Sequence, residues 1–302
     1  MVKAKTFMDY QRIVEDVLVP KFGKISLGKL TAGHIDAFLA DMAGMGLSPS
    51  SIAKYKAVLH HILDKAMAEG IISKNPVEHS TPVRQKVSNR CVISEEDCQV
   101  LLAEAKNISL NAASQGKNYG QSFFIYPILL TAYHTGMRVG EIFALRWKNV
   151  DLRAKVIHVR ENLSEAKNED GKFDLLLTTP KTGASVRDID ISDALCKVLG
   201  EIRPHAPETG IVFCTRTGGY IAPSNFARVW RKLLEKLDMK GKYTIHEWRH
   251  THATLLMSKG INPVSISKRL GHAKPQTTIS IYTHAVNADG RRMAKVFDED
   301  AP

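Results

Sequence analysis

The sequence predicts an α+β protein of two domains, mainly helical and with a small antiparallel β-sheet. Three observations lead to this prediction. Residues 1–80 repeat apolar side chains at the helical period and are punctuated by helix caps. Residues 81–90 are basic and have no apolar period. After them, helical stretches are followed by short runs that suit half-buried strands. At 302 residues, the chain is long enough for each domain to bury a core.

The N-terminal domain, residues 1–80, is predicted to contain three helices. The first covers T-F-M-D-Y-Q-R-I-V-E-D-V-L-V-P and is expected to stop at Pro20, because proline lacks the N–H that continues a helix. Thr31 is the expected N-cap of the second helix. Ser48 is the expected N-cap of the third, which should stop at Gly70.

The second domain is predicted for residues 91–302, after an extended basic linker at residues 81–90. A helix is expected after Ser94, where S-E-E-D resembles a capping box. Gly136 closes a turn after a later apolar helix. Strands are predicted at residues 155–159, 173–178 and 186–191. The turn P-K-T-G-A-S is expected to join the last two strands as a hairpin, and the chain from Ser192 onward to be mainly helical.

Charge favours a polyanionic partner. The formal net charge is +11, and the excess is not confined to one tail. Residues 1–90 carry 13 Lys and Arg against 8 Asp and Glu, and the remainder carries 29 against 23. A positive excess along the whole chain is typical of proteins that enclose nucleic acid, although many basic proteins bind none.

Cysteine usage and hydropathy indicate a reduced, cytoplasmic protein. Cys91, Cys98, Cys196 and Cys214 are scattered without C-x-x-C spacing. The sequence shows no signal peptide and no apolar run near the roughly 18 residues of a membrane span. We therefore expect no membrane association.

The stretch H-E-W-R-H, His246 to His250, matches the zinc-hydrolase pattern H-E-x-x-H. A zinc site of this kind needs a third ligand. Position 256, where one class of these enzymes has histidine, is Leu256. The first glutamate after His250 is Glu299, close to the C-terminus. His272 is available as a nitrogen ligand, but no standard spacing requires it. The zinc interpretation is therefore disfavoured, and we expect no metal or other cofactor.

A second interpretation of the same residues is phosphodiester chemistry. Two arginines, a lysine, two histidines and a tyrosine recur in short motifs: Arg138 in T-G-M-R-V-G-E, Lys181 in P-K-T-G-A-S, His246 and Arg249 in H-E-W-R-H, His272 in L-G-H and Tyr282 in I-Y-T-H. Arginines bind non-bridging phosphate oxygens and stabilise charge that grows in the transition state. A tyrosine hydroxyl can be the nucleophile, and a nearby cation can protonate the leaving oxygen.

These motifs, in this order and spacing, resemble those of the tyrosine recombinases, the family of phage and conjugative-transposon integrases. The resemblance covers essentially the whole chain, since residues 1–80 are similar to the family's helical core-binding domain. It implies a C-shaped clamp around duplex DNA. It also implies site-specific cleavage and rejoining through a 3′-phosphotyrosine and a Holliday junction, without ATP or metal, to integrate and excise a mobile element or prophage.

The resemblance also implies a role for each motif residue. Tyr282 is the nucleophile, and Arg138 and Arg249 bind the phosphate. Lys181 is the general acid for the departing 5′-oxygen. His246 handles the tyrosine proton, and His272 donates a hydrogen bond to the phosphate. The division of acid and base work between His246 and Lys181 stays open.

Several further residues are expected to assist. Glu141 is expected to orient an arginine, and His250 to be a buried, hydrogen-bonded helper outside the catalytic set. Trp147, Trp230 and Trp248 are expected in the core, and His60, His61 and His252 in structural or solvated positions. A basic face on the third helix, the linker and an amphipathic helix near residue 230 are expected to bind DNA through Lys54, Lys56, Lys65, Arg84, Lys86, Arg90, Arg228 and Arg231.

The expected partners follow from the same resemblance: double-stranded DNA with core-type recombination sites, three further copies in a tetramer, and an accessory DNA-bending or directionality protein. The expected location is the bacterial cytoplasm, on the nucleoid. The chain begins almost directly at the first core-binding helix, so an arm-type DNA-binding domain is not expected. A type IB topoisomerase and a non-catalytic DNA-binding module are the remaining alternatives.

Overall fold

The computed structural model describes residues 4–83, 92–167, 173–179 and 183–273. The chain divides into two compact units, Met1–Asn89 and Arg90–Pro302, called here the N-terminal and C-terminal units. Among the described residues, no helix combines the length and the apolar character needed to cross a bilayer.

The N-terminal unit is helical throughout its described residues. Its helices are α1 (Ala4–Ile13), a π-helical segment (Val14–Leu18), α2 (Val19–Phe22), α3 (Ala32–Gly44) and α4 (Pro49–Ala68), with 3-10 turns at Leu27–Lys29 and Pro76–His79. The Thr31 side chain accepts the N–H of His34, and the Ser48 side chain accepts that of Ser51, so both expected N-caps are present. The core centres on Ile35, Phe38, Leu59 and Leu63.

The sequence predicts that the first helix stops at Pro20. In the structure the helical path instead continues through Pro20 to Phe22. The residues Val14–Leu18 immediately before are π-helical. A π-helical turn bonds each N–H to a carbonyl five residues back, which changes the spacing that proline normally disrupts. Local widening therefore allows the helix to pass a residue that usually ends one.

The C-terminal unit contains seven helices among its described residues. They are α5 (Glu95–Ser114), α6 (Gln121–Thr135), α7 (Val139–Phe143), α8 (Asp193–Ile202), α9 (Pro223–Lys236), α10 (Glu247–Ser258) and α11 (Pro263–Leu270). The Ser94 hydroxyl accepts the N–H of Asp97 at the start of α5. Trp147, Trp230 and Trp248 are buried, as expected. The core is continuous from α5 and α6 to the sheet and α9.

The strands form two antiparallel sheets, and the predicted pairing is wrong. β1 (Val150–Asp151), β2 (Val156–Val159) and β5 (Arg187–Asp190) form one sheet in the order β1-β2-β5. β3 (Asn162–Lys167) and β4 (Phe173–Thr178) form a separate two-stranded sheet. The three predicted strands are therefore present, but the last two are not a hairpin: β4 pairs with β3, and β5 pairs with β2.

The missed strand, N-L-S-E-A-K, explains the wrong pairing. It lacks an apolar run, although Leu163 and Ala166 are buried. In β5, Arg187 and Ile189 point inward and Asp188 and Asp190 outward. Ile189 pairs with Ile157 of β2, so the core side of β5 is matched with a buried strand rather than with the exposed β4. Tertiary burial, rather than closeness in sequence, determines the partner of β5.

Candidate active site

Arg138 lies in the turn between α6 and α7. Gly136 ends α6 with a left-handed backbone, φ +63°. A Cβ there would lie 2.6 Å from a Leu270 methyl group and 2.7 Å from the His252 ring. Glycine is therefore needed both for the backbone conformation and for the close approach of α10 and α11. The T-G-M-R motif thus places Arg138 beside the end of α11.

The Arg138 side chain is bonded to Glu141. Its Nη1 donates to Glu141 Oε1 at 2.8 Å, and its backbone N–H donates to Oε2 at 2.9 Å. Its Nη2 donates to the carbonyl O of Gly271 at 3.3 Å. The Arg138 side chain is 35% exposed, whereas that of Glu141 is 1% exposed. One side of the guanidinium is therefore held and the other faces solvent.

Arg249 is almost fully buried and joins two helix ends. Its Nη1 donates to the carbonyl O of Gly136 at 2.7 Å, and its Nη2 donates to that of Leu270 at 2.7 Å. Carbonyls at helix C-termini lack helical partners and carry partial negative charge, so they attract a guanidinium. Arg249 thereby fixes the turn before Arg138 and the turn before His272 relative to each other.

His272 follows α11, which ends in a left-handed glycine, Gly271. Burial, and then the positive charges of Arg249 and Arg138, lower the pKa of His272 from 6.5 to about 4. At neutral pH the imidazole is therefore neutral and can donate a hydrogen bond without carrying a charge. The influence of both arginines places the three predicted residues in one electropositive site.

The structure adds a residue that sequence reasoning missed. Arg187 of β5 is buried and donates from Nη1 and Nη2 to the two carboxylate oxygens of Glu141, at 3.2 and 2.9 Å. Burial would raise the pKa of Glu141, but the hydrogen bonds and charge of Arg187, and then of Arg138, lower it on balance. A signal was present in V-R-D-I-D-I. Arg187 has the same parity as Ile189, so a charge falls on the inward face of the strand.

His246 and His250 lie next to each other at the start of α10. His246 is the residue before the helix and is exposed, whereas His250 is buried. Their rings are 5.0 Å apart and nearly perpendicular. The glutamate of H-E-W-R-H bonds the segment before the helix: Glu247 Oε2 accepts the N–H of Thr244 at 2.7 Å and also bonds its hydroxyl. These hydrogen bonds give Glu247 a structural role in the turn that precedes α10.

Among the described residues, one group of three potential metal ligands has its ligand atoms within 4.8 Å of one another. It consists of His60, His61 and Asp64 on α4, in the N-terminal unit. His60 Nδ1 and Asp64 Oδ2 already contact each other at 2.9 Å. H-E-W-R-H does not belong to such a group within the described ranges.

The other two predicted catalytic residues, Lys181 and Tyr282, lie outside the described residues, as do the predicted DNA contacts Arg84, Lys86 and Arg90. Arg228 and Arg231 are exposed on α9. Arg228 donates to Asn225 Oδ1, and Arg231 Nε donates to the carbonyl O of Ala227 at 3.3 Å.

The lysines expected to form a basic face on α4 point to different sides of the helix. Lys54 pairs with Asp9 of α1 at 3.1 Å, and Lys65 pairs with Glu69 at 3.7 Å. Lys56 instead donates to the carbonyl O of Thr81 at 2.9 Å, on the segment after α4. Residues two positions apart in an α-helix are separated by about 200° around its axis, so Lys54 and Lys56 point to different sides. DNA binding by each lysine stays a prediction.

A buried histidine supports the site from behind. His252 Nδ1 donates to the carbonyl O of Tyr133 at 2.7 Å, and Arg269 Nε donates to His252 Nε2 at 3.2 Å. Arg269 Nη2 also donates to the carbonyl O of His134 at 3.0 Å and of Asp190 at 2.9 Å. Helix α11 is thereby attached to α6 and β5. The role expected for His252 was structural or solvated, and the structure gives it the structural one.

We expect the stability of the protein to fall between pH 6.5 and pH 4 because of His252. Burial lowers its pKa from 6.5 to about 4, so the unfolded chain binds a proton in this range that the folded chain does not. The contribution of His252 to the free energy of unfolding is fully present above pH 6.5 and is lost as the pH falls, by up to about 3 kcal/mol. Thermal denaturation between pH 7 and pH 4.5 measures it. His252→Asn, which does not titrate, should give a shallower slope, and an unchanged slope would contradict this assignment.

Comparison with known proteins agrees with these features. The model of the phage integrase family matches residues 92–288. The chain is 26% identical to the ICEBs1 integrase of Bacillus subtilis, over 98% of this chain and 78% of that protein. It is 33% identical to the integrase of Staphylococcus phage L54a, over 55% of this chain and 49% of that protein.

Solved structures show the same fold. The Tn1549 transposon integrase, in complex with transposon right end DNA, superposes with a TM-score of 0.83 at 18% identity, covering 98% of this chain and 95% of that one. A lambda integrase dimer bound to a COC′ core site gives 0.65 at 18% identity, covering 93% and 89%. The predicted fold class is therefore confirmed. Because the family model matches about two thirds of this chain, the chain belongs to the phage integrase family.

Proposed function

We propose that this chain is a site-specific recombinase that cleaves and rejoins DNA of a mobile element or prophage through a 3′-phosphotyrosine on Tyr282. The observation that carries the proposal is the convergence of Arg138, Arg249 and His272 at two facing helix ends. The carboxylate that contacts Arg138 among the described residues is that of Glu141, and it is buried on the side of Arg138 away from solvent. Such a site suits a phosphate better than a cation.

The proposed cleavage step uses these residues together with His246, Lys181 and Tyr282. The oxygen of Tyr282 attacks the scissile phosphorus, and the bond from phosphorus to the 5′-oxygen breaks. Arg138 and Arg249 neutralise the charge that grows on the non-bridging oxygens, and neutral His272 donates a hydrogen bond to one of them. His246 takes the tyrosine proton, and Lys181 gives a proton to the departing 5′-oxygen. The 5′-hydroxyl of a partner duplex then attacks the phosphotyrosine, which releases Tyr282 and joins the new strands.

The assembly proposed for this reaction is a homotetramer that holds two duplexes, with two protomers on each. Support comes from similar folds: a lambda integrase tetramer bound to a Holliday junction has a TM-score of 0.65 at 18% identity. An accessory DNA-bending or directionality protein completes the proposal. The reaction is placed in the bacterial cytoplasm, on nucleoid DNA. The experiment that tests the function is to sequence DNA ends trapped covalently on the protein, which should be 3′-linked at one defined site. Scattered ends would favour a type IB topoisomerase.

We expect cleavage to survive chelation by EDTA, because guanidinium groups supply the positive charge at the phosphate. Covalent adduct formed with and without EDTA is the measurement. Glu247→Gln gives a matched test, since a glutamine oxygen can still accept the N–H of Thr244 and keep this contact. Cleavage should therefore persist in this variant. The metal interpretation of H-E-W-R-H would be restored by two results together: EDTA abolishes cleavage by the parent chain and added Zn²⁺ restores it, and Glu247→Gln is inactive.

A further inference from the structure

Arg187 is a buried charge for which the cleavage step gives no role. Its side chain is 7% exposed, and it lies on the inward face of β5. A charged group in this position costs free energy unless its donors are well bonded. Its hydrogen bonds show why the position is tolerated.

Those hydrogen bonds reach three segments of the candidate active site. The two terminal nitrogens hold both oxygens of Glu141. Nε donates to the carbonyl O of Arg269 at 2.6 Å, three residues before His272. Nη1 also donates to the carbonyl O of Ser185 at 3.0 Å, four residues after Lys181. One guanidinium therefore bonds the start of α7, the end of α11 and the turn that precedes β5.

Glycine at position 271 keeps this arrangement compact. Gly271 has φ +68°, and a Cβ there would lie 2.8 Å from the carbonyl O of Ala184 and 3.1 Å from Arg187 Nη1. The turn that bears His272 is therefore packed directly against the Arg187 side chain.

Glu141 transmits the effect of Arg187 to Arg138. Its carboxylate lies between two guanidiniums, bonded to Arg187 on one side and to the backbone and side chain of Arg138 on the other. Without Arg187, the buried carboxylate has two outcomes. It concentrates its charge on Arg138 and draws that side chain away from the phosphate, or it becomes protonated and releases Arg138. Both outcomes misplace Arg138.

We propose that Arg187 is a positioning residue for strand cleavage: it holds Glu141, and through it Arg138, in the geometry that binds the scissile phosphate. This inference rests on the proposed function, in which Arg138 neutralises charge on a non-bridging oxygen. A purely structural ion pair is the competing explanation, although replacing a buried pair by apolar groups often leaves stability unchanged.

The test compares single-turnover adduct formation on two substrates, normal DNA and DNA with a methylphosphonate at the scissile position. The methyl group replaces one charged oxygen and thereby removes the charge that Arg138 neutralises. Arg138→Ala should be slower by about 10²-fold or more on normal DNA, and this deficit should shrink on the methylphosphonate. Arg187→Met should show a deficit of up to about 10²-fold on normal DNA, because small displacements of a catalytic group have effects of this size. That deficit should shrink in parallel.

Two further variants separate positioning from general damage. Arg138→Ala combined with Arg187→Met should be no slower on normal DNA than Arg138→Ala alone, because both changes remove the same contribution, that of a correctly placed Arg138. Arg160→Met is the matched control. Arg160 borders the same sheet and donates to the carbonyl O of Arg187 and to Asp188, but it does not contact Glu141. Its cleavage rate should stay close to that of the parent chain.

Each outcome has a defined meaning. If the methylphosphonate does not relieve Arg138→Ala, the role of Arg138 in the proposed function is wrong, and the inference about Arg187 is overturned with it. If it relieves Arg138→Ala but not Arg187→Met, or if the double variant is slower by the product of the two deficits, the positioning role alone is overturned. Should Arg187→Met not fold, Arg187→Lys keeps the buried charge without the two-pronged geometry and carries the same comparison. Failure of both to fold would assign Arg187 to stability and overturn the proposal.

Discussion

Replacing Tyr282 with phenylalanine is expected to abolish the covalent adduct between protein and DNA while leaving affinity for the DNA site nearly unchanged. The phenol oxygen is the proposed nucleophile, and phenylalanine retains the ring but has no oxygen that can attack phosphorus. Binding depends mainly on contacts between basic groups and phosphates, which the substitution leaves in place. Gel shifts measure the affinity, and denaturing gels measure the adduct.

Tyr119→Phe is a suitable control for this experiment. It removes one phenol oxygen from a tyrosine that is 38% exposed in the C-terminal unit, and it should form adduct at the parental rate. Adduct of normal yield on the Tyr282 variant would show that another residue is the nucleophile. Loss of DNA binding in that variant would mean that the tyrosine contributes to the complex itself.

Replacing Lys181 with alanine is expected to slow cleavage of normal DNA by about 10²–10⁴-fold, the usual contribution of a general acid. The 5′-alkoxide is a poor leaving group and needs a proton as the bond to phosphorus breaks. A sulfur atom in place of the bridging 5′-oxygen leaves without that proton, because a thiol is a much stronger acid than an alcohol. The variant should therefore recover most of its rate on the sulfur-bridged substrate.

Arg138→Ala provides the contrast for Lys181. The proposed contribution of Arg138 is to the non-bridging oxygens, which the sulfur substitution does not change, so the rate of this variant should not recover. Equal recovery of both variants, or recovery of neither, would mean that Lys181 is not the acid. Lys181 would then be a lysine that contacts phosphate without donating the proton.

Local sequence was sufficient for most helix boundaries. Thr31, Ser48 and Ser94 each accept a backbone N–H at a helix start, as their side-chain chemistry predicts. Gly136 ends α6 in the left-handed conformation that glycine adopts readily. Pro20 is the exception, because the helical path continues through it to Phe22, after the π-helical residues Val14–Leu18.

Strand pairing was beyond the reach of local sequence. The sequence between β4 and β5 contains residues typical of hairpins, yet the two strands belong to different sheets. Their partners are determined by which face each strand can bury: β5 places Ile189 against Ile157 of β2, whereas β4 is exposed along most of its length. Such matching involves residues about 30 positions apart, which no turn signal encodes.

The motifs alone were enough to predict the proposed chemistry, because together they supply the phosphate-binding, acid–base and nucleophilic side chains that phosphodiester transfer uses: Arg138, Lys181, His246, Arg249, His272 and Tyr282. Only the tertiary structure decided how the described members of this set are held. Arg249 bonds two helix ends that are more than 130 residues apart in the chain, and Arg187 completes the pair of arginines on Glu141. A sequence motif specifies the groups that meet the substrate, but a buried charge is tolerated only where the fold supplies its partners, and those partners come from distant segments.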